Sequence, residues 1–149
     1  MNKPSEAVTK RMREDLEKAY MEIIPVSGIE EKLGALQPNM HVAVTCSPTK
    51  GIDATMKLSE KLMMQGFKVI PHIAAKCVSG EKHLEAIVKK LDELGVESIF
   101  VPGGDRLEPI GEFNDAYDLL KALKKSGHSI KKIGIAAHPE GHPDINENI

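Results

Sequence analysis

Ile133-Gly134-Ile135-Ala136-Ala137 runs directly into His138-Pro139-Glu140-Gly141-His142-Pro143-Asp144. The first five residues are apolar without alternation, as in a strand covered on both faces. The seven that follow crowd ionisable groups between prolines, which stiffen the backbone. A buried strand ending in such a cluster is how α/β proteins present chemistry at the carboxyl edge of a parallel sheet. The same layout occurs earlier at Val42-Ala43-Val44-Thr45-Cys46, at Val69-Ile70-Pro71-His72, and at Ile99-Phe100-Val101-Pro102-Gly103-Gly104-Asp105.

Working outward from these stretches, strands are expected at 41–46, 68–74, 97–101 and 131–137, with a first short one from Tyr20 to Pro25. Between them the apolar residues take a helical period, and each helical stretch closes near a glycine: 52–65 before Gly66, 80–94 before Gly95, 112–125 before Gly127. Ser27, with Glu30 three residues on, has the capping-box pattern for a helix ending near Leu36, and Pro38-Asn39 is a turn. Ahead of this, residues 1–9 are polar and expected to fray. Lys10 to Ala19 reads as an amphipathic helix with Met12, Leu16 and Ala19 on one side, so 1–19 form an amino-terminal tail and helix.

Five strands and four crossover helices imply an α/β fold with parallel pairing and right-handed crossovers. The period fits a (β/α) barrel or a doubly wound sheet. A full eight-fold barrel takes on the order of 200 residues or more, so this chain holds about five-eighths of one, or a small open sheet.

Composition narrows the function classes. The 149 residues form one domain with an ordinary share of apolar (41%) and charged (28%) residues. Twenty basic against 22 acidic residues leave no basic surplus for nucleic acid. Aromatics are only 3%, too few for base-stacking platforms. No apolar run nears the roughly 20 residues that span a bilayer. Cys46 and Cys77 form no CxxC pair, and without a secretory segment reduced thiols in the cytoplasm are expected.

Several strand-end residues are chemical candidates. Glu22, between Met21 and Ile23, would be desolvated in the first strand, which suits a proton donor near neutral pH. A strand-end glutamate paired with a lysine is the plainer alternative. Asp105 follows two glycines that allow a flat ligand close to the backbone, where a carboxylate could orient a polar edge; otherwise it is an Asx-turn residue. Thr45 and His72 end the second and third strands and converge on the same edge. His138 and His142 flank Glu140, but Pro139 and Gly141 prevent the regular helix that would aim both imidazoles at one metal ion, so no metal is expected. Phosphate loop, dinucleotide fingerprint and nucleophile elbow are all absent.

Taken in order, these strand ends resemble the methylenetetrahydrofolate reductase family. The resemblance rests on Glu22 in Met-Glu-Ile-Ile-Pro, Ala43-Val44-Thr45, Pro71-His72, Gly104-Asp105, and Ala136-Ala137-His138-Pro139-Glu140-Gly141-His142-Pro143. It covers about residues 20 to 145 and implies a partial (β/α)8 TIM barrel, the amino-terminal five-eighths. The family passes a hydride from NAD(P)H through FAD to methylenetetrahydrofolate in one-carbon metabolism. The resemblance implies that Glu22 is the general acid and that Asp105 lies near flavin and pterin. It further implies that Thr45, His72, Gly104, Ala137, His138 and His142 surround FAD. Two departures stand out: Gly103 replaces a flavin-contacting arginine, and His138 replaces an aromatic residue. The sixth to eighth strands are missing, so a folate-reducing homo-oligomer or a missing carboxyl-terminal half is expected. The alternative is a non-catalytic flavin- or folate-binding or assembly module.

Overall fold

Each strand in this chain pairs with the next one along the sequence. The computed structural model describes residues 4–36 and 39–141. Its strands are β1 (Tyr20–Ile23), β2 (His41–Val44), β3 (Lys68–Pro71), β4 (Ser98–Val101) and β5 (Lys132–Ile135). The helices are α1 (Glu6–Lys18), the single turn α2 (Ile29–Lys32), α3 (Gly51–Met64), α4 (Glu81–Leu94) and α5 (Ala116–Ser126). β1, β2 and β3 form one parallel sheet, and β4 and β5 another. A parallel bridge from His72 to Phe100 joins the two. Amide bonds carry the join onward: Ile73 N donates to Phe100 O at 2.8 Å, Ala75 N to Pro102 O at 3.0 Å, and Lys76 N to Gly103 O at 3.0 Å. Spatial order is therefore chain order. A doubly wound sheet reverses its order at a switch point, whereas this is an arc of a barrel.

The outward side of the arc is closed by helices. Ile23, Val42, Val44 and Val69 pack with Leu58 and Leu62 of α3. Ile99 and Val101 pack with Ile52 and Met56 of the same helix, with Leu84, Ile87 and Leu91 of α4, and with Leu119 and Leu123 of α5. α3 thus stitches the two clusters into one layer. Gly66, Gly95 and Gly127 lie just past the helices they close, as the periodicity predicts. Among the described residues no helix is long and apolar enough to cross a membrane.

Local capping moves several boundaries from their expected places. The first helix begins at Glu6 rather than Lys10, because the Ser5 hydroxyl accepts from Val8 N and caps it there. Ser27 caps nothing; Gly28, in the left-handed region, precedes α2 instead. α5 starts at Ala116 rather than 112, since the Asp115 carboxylate accepts from Asp118 N at 2.9 Å. Glu112 is drawn elsewhere, accepting from Glu81 N at the start of α4. Every strand is four residues long, shorter than expected, which leaves Thr45 and His72 just past the strand ends. α1 buries no residue and exposes Val8, Met12 and Leu16 along one side.

Candidate functional site

The inner side of the arc lines a cavity of about 470 Å³, within the size range of small-molecule sites. Register organises its wall into rings. Glu22 pairs with Ala43 and Ala43 with Ile70. The His72–Phe100 bridge, carried two residues back, sets Ile70 level with Ser98, which pairs with Lys132. One ring is therefore Glu22, Ala43, Ile70, Ser98 and Lys132. The next, toward the carboxyl edge, is Thr45, His72, Phe100 and Gly134. Successive strand residues point to opposite sides, so Val44 and Ile99, between the two rings, face the other way and pack under the helices.

Thr45 is fixed firmly. Its amide and its hydroxyl both donate to Ile23 O, at 2.9 and 3.1 Å, and its own carbonyl accepts from Thr55 Oγ1 at 2.9 Å. The hydroxyl hydrogen is thus engaged, leaving the oxygen as an acceptor toward the cavity. His72 is half-buried, its amide donating to Val44 O and its ring lying 4.8 Å from Phe100 at 45°. Burial holds the imidazole below its ordinary value, while the Glu22 carboxylate pulls the other way. Burial thus favours the neutral imidazole, which lies tilted against Phe100 in the wall.

Gly104 shapes the rim. Its φ is +98°, and a Cβ there would lie 3.1 Å from the Ala74 Cβ. Only glycine lets the loop after β4 press so closely on the loop after β3 and bring Asp105 to the cavity mouth. Gly134 does similar work on the neighbouring strand β5, where a Cβ would meet Phe100 at 2.9 Å.

The cavity therefore gathers Glu22, Thr45, His72, Gly104 and Asp105, each predicted from sequence. Glu22 departs from expectation in one respect. It is exposed rather than desolvated, because β1 is an edge strand with β2 on one side only. Ala137 and His138 are exposed beyond β5 and do not line the cavity; His142 lies outside the described residues. Sequence reading missed Tyr20, Ser98, Phe100, Lys132 and Gly134. Counting in steps of two back along the chain, once from Glu22 and twice from Gly104, would have found Tyr20 and Phe100.

Cys46 also reaches the cavity, but burial pushes its thiol up to about 12, assisted by the neighbouring Cys77. A thiol held protonated is a poor nucleophile. Among the described residues no group of three or more His, Cys, Asp or Glu is placed to hold a metal ion. What the wall offers is a smooth face (Ala43, Phe100, Gly134), a close-approach rim at Gly104, and carboxylates at Glu22 and Asp105. That arrangement has room for a planar ligand with polar edges, with the two carboxylates beside it.

A family model, methylenetetrahydrofolate reductase, matches residues 27–148. The match takes in β2 to β5 and every cavity residue named above except Tyr20 and Glu22, which precede it.

Proposed function

The chain belongs to the methylenetetrahydrofolate reductase family, and from that premise we propose that its cavity is the amino-terminal wall of a flavin-dependent reductase site. In this reading NAD(P)H and FAD serve conversion of 5,10-methylenetetrahydrofolate to 5-methyltetrahydrofolate. One observation supports it above the rest: Glu22, Thr45, His72, Gly104 and Asp105 line one cavity although four successive strands or their loops carry them.

The residues fit a flavin. Gly104 opens a cradle that a Cβ would fill, and the His72 ring tilted against Phe100 gives an aromatic wall. FAD, when bound, supplies the hydride relay between donor and folate. Thr45 and Asp105 orient its polar edges as acceptors. Glu22, facing the same cavity, would act as the general acid that assists opening of the folate's imidazolidine ring. Thr45 ties β1 to β2 and so fixes the strand that carries Glu22.

β1 and β5 each lack a second strand partner among the described residues. Barrel closure links strand number, tilt and stagger, so the working site needs further strands between them, from a second copy or from a carboxyl-terminal half. The free thiols of Cys46 and Cys77 suit a reducing, cytoplasmic setting.

The test is a titration with FAD followed by flavin fluorescence, on the chain alone and mixed with a polypeptide carrying the remaining strands. Saturable quenching is expected in at least the mixture; none in either overturns the reading. The exposure of Glu22 on a free edge favours a second reading, a binding or assembly module without catalysis. Flavin binding without folate reduction in the completed assembly would select it.

A further inference from the structure

Lys76 and Arg106 sit in the loops after β3 and β4, beside the cavity-lining Ala74, Gly104 and Asp105. Both are half-buried. Lys76 Nζ donates to Arg106 O at 3.0 Å. Arg106 Nη1 donates to Pro48 O at 2.9 Å and its Nε to Glu108 O at 3.3 Å. The two side chains thereby tie the loops after β2, β3 and β4 into one edge. Lys76 also packs against the rim glycine, since a Cβ at Gly104 would lie 3.7 Å from the Lys76 Cβ.

All their hydrogen-bond partners are backbone carbonyls. Among the described residues neither cation has a carboxylate within 4.0 Å, although Asp105 and Glu108 flank Arg106 in sequence. Carbonyl oxygens satisfy donors but neutralise no charge, and a partly desolvated cation without a counter-ion is unfavourable. An ammonium has three donors and a guanidinium five, so two remain on Lys76 and three on Arg106. Two positive charges with spare donors beside a ligand cavity match an oxyanion such as phosphate.

We propose that Lys76 and Arg106 form an anion seat on the cavity rim that takes a phosphate or diphosphate group. The proposal rests on the flavin reading for the source of that group, the diphosphate of FAD; a free diphosphate has the same chemistry. It also bears on position 103, where the resemblance expects an arginine and the chain has glycine. Lys76 and Arg106 would supply the missing positive charge from the neighbouring loop and from three residues on.

Binding is measured calorimetrically for FAD, riboflavin and inorganic diphosphate on the full chain, with Lys76→Gln, Arg106→Gln and the charge-keeping Arg106→Lys. Circular dichroism checks that each variant folds. FAD and diphosphate affinity should fall about tenfold for each charge removed, the loss of one charge-assisted contact, and should recover largely in Arg106→Lys. Riboflavin, which lacks phosphate, should bind all forms alike. Equal losses for FAD and riboflavin, or unchanged diphosphate affinity, would reduce both residues to loop fasteners and overturn the seat. If no flavin binds but diphosphate binds in a Lys76- and Arg106-dependent way, the seat stands and the flavin reading falls. If diphosphate does not bind the native chain, the seat falls whatever flavin does.

Discussion

β4 and β5 are register partners with similar apolar residues, yet their surroundings differ. Ile99 pairs with Ile133 and Val101 with Ile135. Ile99 and Val101 are 1% and 0% exposed, whereas Ile133 and Ile135 are 37% and 57% exposed. β4 has a strand on each side and α4 and α5 behind it; among the described residues β5 has β4 alone. Burial in a parallel sheet is thus a property of neighbours as much as of residue type. On the helix side of the arc substitutions should cost stability, while on the cavity side and at the open edges they should cost function instead.

The largest expected effect lies on the open side. Glu22→Gln keeps shape and removes the acid, so folate reduction in the completed assembly should fall by about 10²–10⁴-fold. Reduction of flavin by NAD(P)H, and the denaturation midpoint of the chain, should hardly move. Equal loss in both half-reactions would make Glu22 structural and blur the contrast. The matched pair Ile99→Ala and Ile135→Ala measures the contrast directly by urea unfolding. The first should destabilise by about 2–5 kcal/mol, the second by less than about 0.5 kcal/mol. Comparable losses would mean that β5 is covered in solution.

Adjacent glycines give a finer version of the same comparison. Gly104→Ala should cost about 1–3 kcal/mol for its left-handed backbone, besides the contact with Ala74. Gly103, with nothing within 4 Å of its Cβ position, should accept alanine within about 0.5 kcal/mol. The smallest effect concerns pH. The folded-state value of His72 is lowered by burial from the ordinary 6.5, so unfolded chains take up the proton first. The stability it contributes is complete above pH 6.5 and is lost as pH falls through the lower folded value. The native chain should lose more stability on acidification over that window than His72→Gln does. Identical profiles would place His72 in a more open wall than its stacking on Phe100 implies.

Much of the fold is legible because it is local. Period, strand-end prolines and closing glycines mark all five strands and the helices after β2, β3 and β4. Gly104-Asp105 stands out because two glycines before an aspartate serve a close approach. The start of α5 is not legible in the same way. Glu112 looks like a first-turn acid, but it is drawn to Glu81 across the fold, and Asp115 takes the cap. Glu22 reads as desolvated because its neighbours in sequence are apolar; its exposure depends on which strands flank β1. The link from Lys76 through Arg106 to Pro48 leaves no trace in residue types, since its acceptors are backbone carbonyls that every residue carries.

Chain order in the arc has a consequence for how the protein is made. No strand waits for a distant one: β1 is ready when β2 emerges, β2 when β3 does, and so on through β5. Nearest-neighbour pairing keeps the loops to be closed short, which favours rapid, stepwise assembly during synthesis. The last strand formed is always the template for the next, and β5 presents its row of amides and carbonyls in that state. The edge that allows the sheet to grow also makes a prematurely released chain adhesive, so rapid coverage of β5 is what separates assembly from aggregation.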